Sequence, residues 1–122
     1  MFGFHPVNLA FRFVLEITAL VSIGVGGYNL ASGFVAWILA IGLPLIAAIG
    51  WGTFNVPGDE SRSGEAPVEV PGVVRLFLEL VFFLTAVVLL GFVSPVAATL
   101  LGVGVLIHYL LSIDRIRWLI AN

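Results

Sequence analysis

Long apolar stretches separated by short polar breaks dominate the pattern of the chain. Four of them reach the roughly 20 residues that an α-helix needs to cross the hydrocarbon core of a bilayer. They cover residues 8–28, 33–54, 73–93 and 95–119. Residues 29–32 join the first two stretches, and the last two meet at Ser94 and Pro95, where proline suits the first turn of a helix. Each pair therefore predicts a tight helical hairpin. A β-barrel is not predicted, because no stretch alternates as a membrane strand does.

The one long connection, residues 55–72, is rich in Pro, Gly, Ser and acidic residues, which predicts an exposed loop. The first stretch lacks a basic segment before it, so we interpret it as a retained helix rather than a signal peptide. The expected fold is all-α. It is a polytopic membrane four-helix bundle, a single transmembrane domain over residues 1–122.

Composition supports a lipid environment. Hydrophobic residues make up 61% of the 122 residues and charged residues 10%, whereas a soluble domain carries about 25% charged residues. A chain this short cannot bury so much apolar surface in one water-soluble core. A soluble enzyme is thereby excluded, and a net charge of −2 provides no basic surface for nucleic acid.

The composition also limits the available chemistry. The chain has no Cys, and it contains no nucleotide-binding or nucleophile motif in a suitable context. We therefore expect no cofactor, no metal site and no enzymatic activity. The absence of Lys beside an acidic loop is typical of salt-adapted organisms.

All five basic residues are Arg, and they fall on one side of the predicted topology. They are Arg12, Arg62, Arg75, Arg115 and Arg117. The two hairpin turns carry none, so the positive-inside rule predicts a cell-membrane protein with both termini and the long loop in the cytoplasm.

A short repeat links the two hairpins. The segment from Arg12 to Glu16 has the same Arg-x-x-x-Glu pattern as the segment from Arg75 to Glu79, 63 residues later. Each copy opens the first helix of a hairpin, and both helices start on the same side. The sequence therefore predicts two parallel helical-hairpin repeats, related by a pseudo-two-fold axis along the membrane normal.

The repeat places charges within the predicted helices. Arg and Glu four residues apart lie on one helix face and can pair. Glu16 lies about 12 Å into its helix at 1.5 Å per residue, and a charge there facing lipid would cost several kcal/mol. We therefore predict an inward-facing polar cluster on the cytoplasmic half. Its members are Arg12, Glu16, Arg75, Glu79 and Arg115, with Asn8 and Asp114 at the edge.

Two interpretations of this cluster stay open. The charges neutralise one another and fix helix register, or they form an ion, proton or solute site. His108, predicted near the middle of the fourth span and far from the cluster, has a similar pair of interpretations. It is a neutral ring bonded to a helix carbonyl or to Ser112, or it is a proton relay.

Small residues recur every four positions along the second predicted helix. They are Ala36, Ala40, Pro44, Ala48 and Gly52. This spacing allows close helix packing in membranes. Pro44 is expected to kink the helix and free the carbonyl of Ala40.

Three motifs in order resemble the YrdB-like family of small four-helix membrane proteins. They are Arg12-x-x-x-Glu16, Trp51-Gly52-x-Phe54-x-x-Pro57 and Arg75-x-x-x-Glu79. The family has no assigned activity, so the resemblance implies a topology and no reaction. It also draws attention to Trp51, which is otherwise explained as an interfacial anchor.

Three functional hypotheses follow from the sequence. The first is a transporter or channel-like protein that binds an ion, proton or small polar solute at the cluster, and four helices offer so little room that it requires a homo-oligomer. The second is a non-catalytic accessory or assembly subunit of a membrane complex, in which the ion pairs are structural and the partner is another membrane protein. The third is a lipid-binding protein or membrane enzyme. The bilayer is a partner in all three.

Overall fold

The computed structural model describes residues 2–60 and 66–122, and Arg62 lies outside this part. A short 3-10 helix, Phe2–Phe4, precedes five α-helices. These are α1 (Pro6–Asn29), α2 (Gly33–Thr53), α3 (Gly72–Gly91), α4 (Pro95–Leu111) and α5 (Ile113–Ala121). Two strands of two residues, β1 (Phe54–Asn55) and β2 (Val68–Glu69), pair in parallel within the long connection. The all-α prediction is confirmed.

Local sequence explains where the helices begin. The His5 side chain caps α1 by accepting a hydrogen bond from the Val7 amide at 3.1 Å, and Pro6 occupies the first turn. The Ser94 hydroxyl caps α4 by accepting from the Ala97 amide at 3.2 Å, ahead of Pro95. A capping side chain accepts from one of the amides that a helix start leaves unpaired, and an early proline lacks an N–H and so removes another.

Helix α1 is central, since it packs against α2, α3 and α4, and α3 also packs against α4. The apolar core therefore lies among α1, α3 and α4. Its buried members are Leu15, Ala19, Ile23, Phe82, Phe83, Ala86, Leu101 and Tyr109. Helix α2 lies beside α1 and buries a single residue, Ala36.

The ladder of small residues on α2 makes close contacts over only half of its length. The Ala40 carbonyl lies 2.9 Å from where a Cβ on Gly24 of α1 would stand, so glycine permits the approach. Ala48 and Gly52, in contrast, are exposed. The expectation that the whole ladder packs was wrong for this end, because Ala47 and Trp51, one position earlier in each turn, pack against the core and leave Ala48 and Gly52 outside.

The fourth predicted span, 95–119, is two helices and not one. Helices α4 and α5 meet at Ser112 with a bend of 69°. The Ser112 hydroxyl donates to the carbonyl of His108 at 2.7 Å, and the residue ends one helix and begins the next. His108 consequently lies in the last turn of α4 and not at mid-span, which corrects the sequence expectation.

The bend brings α5 back across the end of the molecule that carries the long connection, which we call the loop end. The backbone of Leu119 lies directly against Gly72 at the start of α3, in the space that a Cβ would occupy. By length and composition, α1, α2 and α3 can each cross a membrane, and α4 with α5 makes a fourth crossing if the bent pair counts as one. These helices are compatible with a multi-pass membrane protein.

Candidate functional site

A single carboxylate, that of Glu79, organises the polar interior of the loop end. Its side chain is fully buried. Oε2 accepts hydrogen bonds from Arg12 Nη2 at 2.9 Å, Arg75 Nε at 2.9 Å and Arg115 Nη2 at 2.8 Å. Oε1 accepts from Arg115 Nη1 at 2.9 Å and from the Tyr109 hydroxyl at 2.8 Å. Both oxygens are therefore saturated by charged or hydroxyl donors, and Arg115 binds in the bidentate manner that suits guanidinium and carboxylate.

Two of the three guanidinium groups bind a second carboxylate. Arg12 Nε donates to Glu16 Oε1 at 3.0 Å. Arg115 Nη2 lies 2.7 Å from Asp59 Oδ2. Glu16 retains a little exposure, whereas Asp59 is buried although it belongs to the long connection. Each additional carboxylate offsets the repulsion that three cations around Glu79 would otherwise produce.

The third guanidinium, that of Arg75, binds the backbone where α2 gives way to β1. Its Nη1 donates to the carbonyl oxygens of Trp51 at 2.7 Å and Phe54 at 2.9 Å. The last carbonyls of a helix lack partners within it, so a buried cation there satisfies groups that need a donor. The same guanidinium lies 4.4 Å from the Trp51 ring, and that of Arg12 lies 5.4 Å from it. Trp51 thus makes cation–π contacts with two members of the site.

These six charged side chains form what we call the ionic cluster. They are Arg12, Glu16, Asp59, Arg75, Glu79 and Arg115. Among residues 2–60 and 66–122 the cluster has three positive and three negative members, so these six are neutral as a set. Buried ion pairs are tolerable only where such matching and hydrogen bonding are nearly complete.

A second, uncharged network adjoins the cluster. Asn8 donates from Nδ2 to the Ser112 hydroxyl at 2.8 Å, and its Oδ1 lies 3.1 Å from His108 Nδ1. Since the amide oxygen only accepts, the imidazole proton lies on Nδ1. Nε2 of His108 has no hydrogen-bond partner among the described residues. The partner expected from the sequence was Ser112 or a helix carbonyl, and the ring binds Asn8 instead.

The structure brings together the five residues predicted to form the centre of the site and separates one predicted at its edge. Glu16 and Glu79 share Arg12 as a common partner, as their matching positions in α1 and α3 suggested. Asp114 lies outside the cluster and accepts from the Gly3 amide at 2.9 and 3.1 Å, which ties the 3-10 helix to α5.

Sequence reasoning missed Asp59 and Tyr109. Asp59 stands in a polar, proline-rich segment, where an acidic residue is normally solvated, and its pairing with Arg115 depends on the bend after α4. Tyr109 directly follows His108, and its hydroxyl on an otherwise apolar helix was the available signal. Among residues 2–60 and 66–122, no group of three His, Asp or Glu could hold a metal ion.

One member of the cluster also reaches an outer groove. A groove of about 290 Å³ lies between α2 and α3, with largely apolar walls and Arg75 and Trp51 in its lining. The other five members of the cluster do not line it.

Comparison with known proteins yields relatives without an assigned activity. Residues 10–107 match a family described as "Protein of unknown function (DUF2568)". The chain is 42% identical to "Uncharacterized protein YrdB" of Bacillus subtilis (strain 168), over 118 residues that cover 95% of each chain. No solved structure matches. The three motifs noted in the sequence, from Arg12 to Glu79, lie within the residues that match the family.

Proposed function

The chain belongs to the DUF2568 family of proteins of unknown function, and we propose that it is a non-catalytic accessory subunit of a membrane complex. In this proposal the ionic cluster is a structural lock and the protein acts by binding another membrane protein. The four crossings form a bundle of two parallel hairpin repeats, with both termini and the loop end in the cytoplasm.

The observation that carries the proposal is the saturation of Glu79. A transport site exchanges its ligand with water, so its central charge needs an open coordination position in at least one state. Here five donors from the chain itself bind the two oxygens of a side chain with no exposed surface. The matched charges favour the accessory hypothesis over the transport hypothesis that the sequence placed first.

The exposure of α2 supports the second half of the proposal. A helix in a self-contained bundle buries a full stripe, whereas α2 buries only Ala36. Its large apolar side chains, such as Ile41 at 64% exposure and Leu45 at 57%, face outward. In a membrane this surface faces lipid or another helix, and we assign it to the partner.

Site-directed photo-crosslinking in cells tests this assignment. A photoreactive residue at Ile41 is expected to form one discrete heterologous adduct, whereas one at Leu100 on α4, which is 69% exposed, forms none. Adducts of equal yield at both positions would mean random lipid-phase encounters. An adduct of twice the chain mass would indicate a homo-oligomer in place of a foreign partner.

A flux assay separates the accessory role from transport. Liposomes that contain the purified wild-type protein are expected to show no larger flux of protons or small ions than liposomes that contain the Glu79→Gln variant. A flux that depends on Glu79 and survives purification would overturn the proposal, provided that both proteins unfold at comparable temperatures.

A further inference from the structure

The groove between α2 and α3 presents a long apolar surface with one polar end. We call it the α2–α3 groove. Its walls come from both helices, from Ile23 of α1 and from Phe54 of β1. Residues that define its course are Arg75, Leu78, Phe82 and Leu89 on α3, and Leu43 and Gly50 on α2.

The polar end holds an unsatisfied donor. Arg75 has no exposed surface, its Nε binds Glu79 and its Nη1 binds two backbone carbonyls. Its Nη2 atom has no hydrogen-bond partner among the described residues, although the side chain lines the groove. A buried guanidinium N–H without an acceptor is costly. Nη2 is occluded in this structure, so an acceptor oxygen at this end of the groove would be bound favourably once a small shift of the lining side chains exposes that atom.

The dimensions suit a single acyl chain. Arg75 and Leu89 mark the two ends on α3, and 14 helical residues span about 21 Å at 1.5 Å per residue. One leaflet provides about half of the roughly 30 Å hydrocarbon core, with the headgroup region beyond it. A chain lying along α3 therefore has its ester and phosphate oxygens near Arg75 when its terminal methyl lies near Leu89.

We infer that the α2–α3 groove binds one phospholipid, with an acyl chain along the apolar walls and a phosphate oxygen accepting from Arg75 Nη2. Phosphate is favoured because an ionised acceptor forms the stronger hydrogen bond with guanidinium. The cluster is neutral without a ligand, so the lipid is held by one donor and by apolar contact. The inference is independent of the partner assigned to α2, because the groove lies on the side of α2 that faces α3.

Quenching of Trp51 fluorescence by brominated lipid measures this binding directly, because Trp51 lines the groove. The protein would carry Trp37→Phe and Trp118→Phe, so that Trp51 is the only indole. In an uncharged detergent, dibrominated phosphatidylglycerol is expected to quench saturably at one lipid per chain. Dibrominated diacylglycerol with the same chains lacks the phosphate and is expected to bind at least tenfold more weakly.

Two glycines of α2 make a matched pair of variants that leaves the cluster intact. A Cβ at Gly50 or at Gly42 meets nothing within 4 Å. Gly50 lines the groove, whereas Gly42 is not part of its lining. Gly50→Leu is expected to weaken quenching by phosphatidylglycerol at least tenfold, and Gly42→Leu is expected to leave it unchanged.

Three results would each overturn the inference. The first is equal quenching by the two lipids, because the Arg75 contact would then contribute nothing. The second is equal behaviour of Gly50→Leu and Gly42→Leu, because the quencher would then be in the surrounding micelle. The third is a chemically crosslinked dimer that forms with the wild-type chain and with Gly42→Leu but not with Gly50→Leu, because the groove would then hold a second copy of this chain.

Discussion

At the scale of single residues, Glu79 determines how the loop end is assembled. Three guanidinium groups from α1, α3 and α5 converge on it, so one side chain joins helices that are distant in sequence. Among the described residues, its counterpart in the repeat, Glu16, forms an ion pair with Arg12. Glu16 lies at the edge of the cluster, since its side chain is 17% exposed and that of Glu79 is fully buried.

Removing Glu79 alone should be more harmful than removing it together with Arg75. Glu79→Leu leaves three buried cations with two carboxylates, and stranding a buried charge costs about 3–5 kcal/mol. In the double variant Arg75→Leu/Glu79→Leu, Arg12 keeps Glu16 and Arg115 keeps Asp59. We expect its thermal unfolding temperature in detergent to lie above that of the single variant. Arg117→Leu, at an exposed position, is the control and should behave as the wild type.

The central residues of the site could be predicted from the sequence, because an Arg-x-x-x-Glu pair within an apolar helix has a strong energetic reason to face inward. Two further partners, Asp59 and Tyr109, could not. Asp59 is brought to Arg115 only by the course of the long connection, and the place of His108 depends on where α4 stops. Both follow from tertiary geometry that local periodicity does not encode.

At the scale of elements, α2 differs from the other long helices because it buries only Ala36 and otherwise meets the core through partly buried side chains such as Ala47 and Trp51. The first three helices could be predicted nearly to the residue, since uninterrupted apolar length is a direct signal. Which face each helix buries was harder to predict, because a lipid-facing surface and a packed surface are both apolar.

Ala36→Leu and Ala48→Leu form a matched pair on α2. Ala36 is 1% exposed, so added volume must displace neighbours, at a cost of roughly 1–3 kcal/mol. Ala48 is exposed and should accept leucine without loss. Thermal stability in the same detergent measures both. Equal losses of thermal stability would show that the surface of α2 around Ala48 is covered by another chain.

Gly72→Ala tests the contact between α3 and α5. The Leu119 backbone occupies the place of a Cβ at Gly72, so alanine must push α5 away from the cluster. We expect a large loss of thermal stability, whereas Gly52→Ala, with open space around it, should be neutral or slightly stabilising because alanine favours helix. Similar behaviour of the two variants would show that α5 is not held in this position.

At the scale of the whole molecule, the charges and the termini gather at one end. The Arg residues of the cluster, the 3-10 helix and α5 all lie with the long connection, and the two hairpin turns lie at the other end. The orientation of this arrangement in a membrane rests on the positive-inside rule, which counts basic residues in short loops.

Cysteine labelling checks the orientation, and the chain offers a clean background because it has no Cys. A cysteine at Ser63 should react with an impermeant maleimide only after the cells are opened. A cysteine at Ser32, in the turn between α1 and α2, should react in intact cells. The reverse pattern would invert the topology and place the ionic cluster toward the cell exterior.

The bend at Ser112 places Arg115 of α5 in the ionic cluster, and this has a consequence for biosynthesis. Arg115 supplies two of the hydrogen bonds to Glu79 and is an ion-pair partner of Asp59, yet it lies in the most C-terminal of the five helices. While α1 to α4 emerge from the ribosome, both carboxylates therefore lack this cation. The hairpins must enter the membrane with one more carboxylate than guanidinium group in the cluster. Synthesis of α5 completes the charge balance. A chain that stops before α5 would retain two arginines of the cluster against three carboxylates, with Glu79 still bound to Arg12 and Arg75 but Asp59 deprived of Arg115.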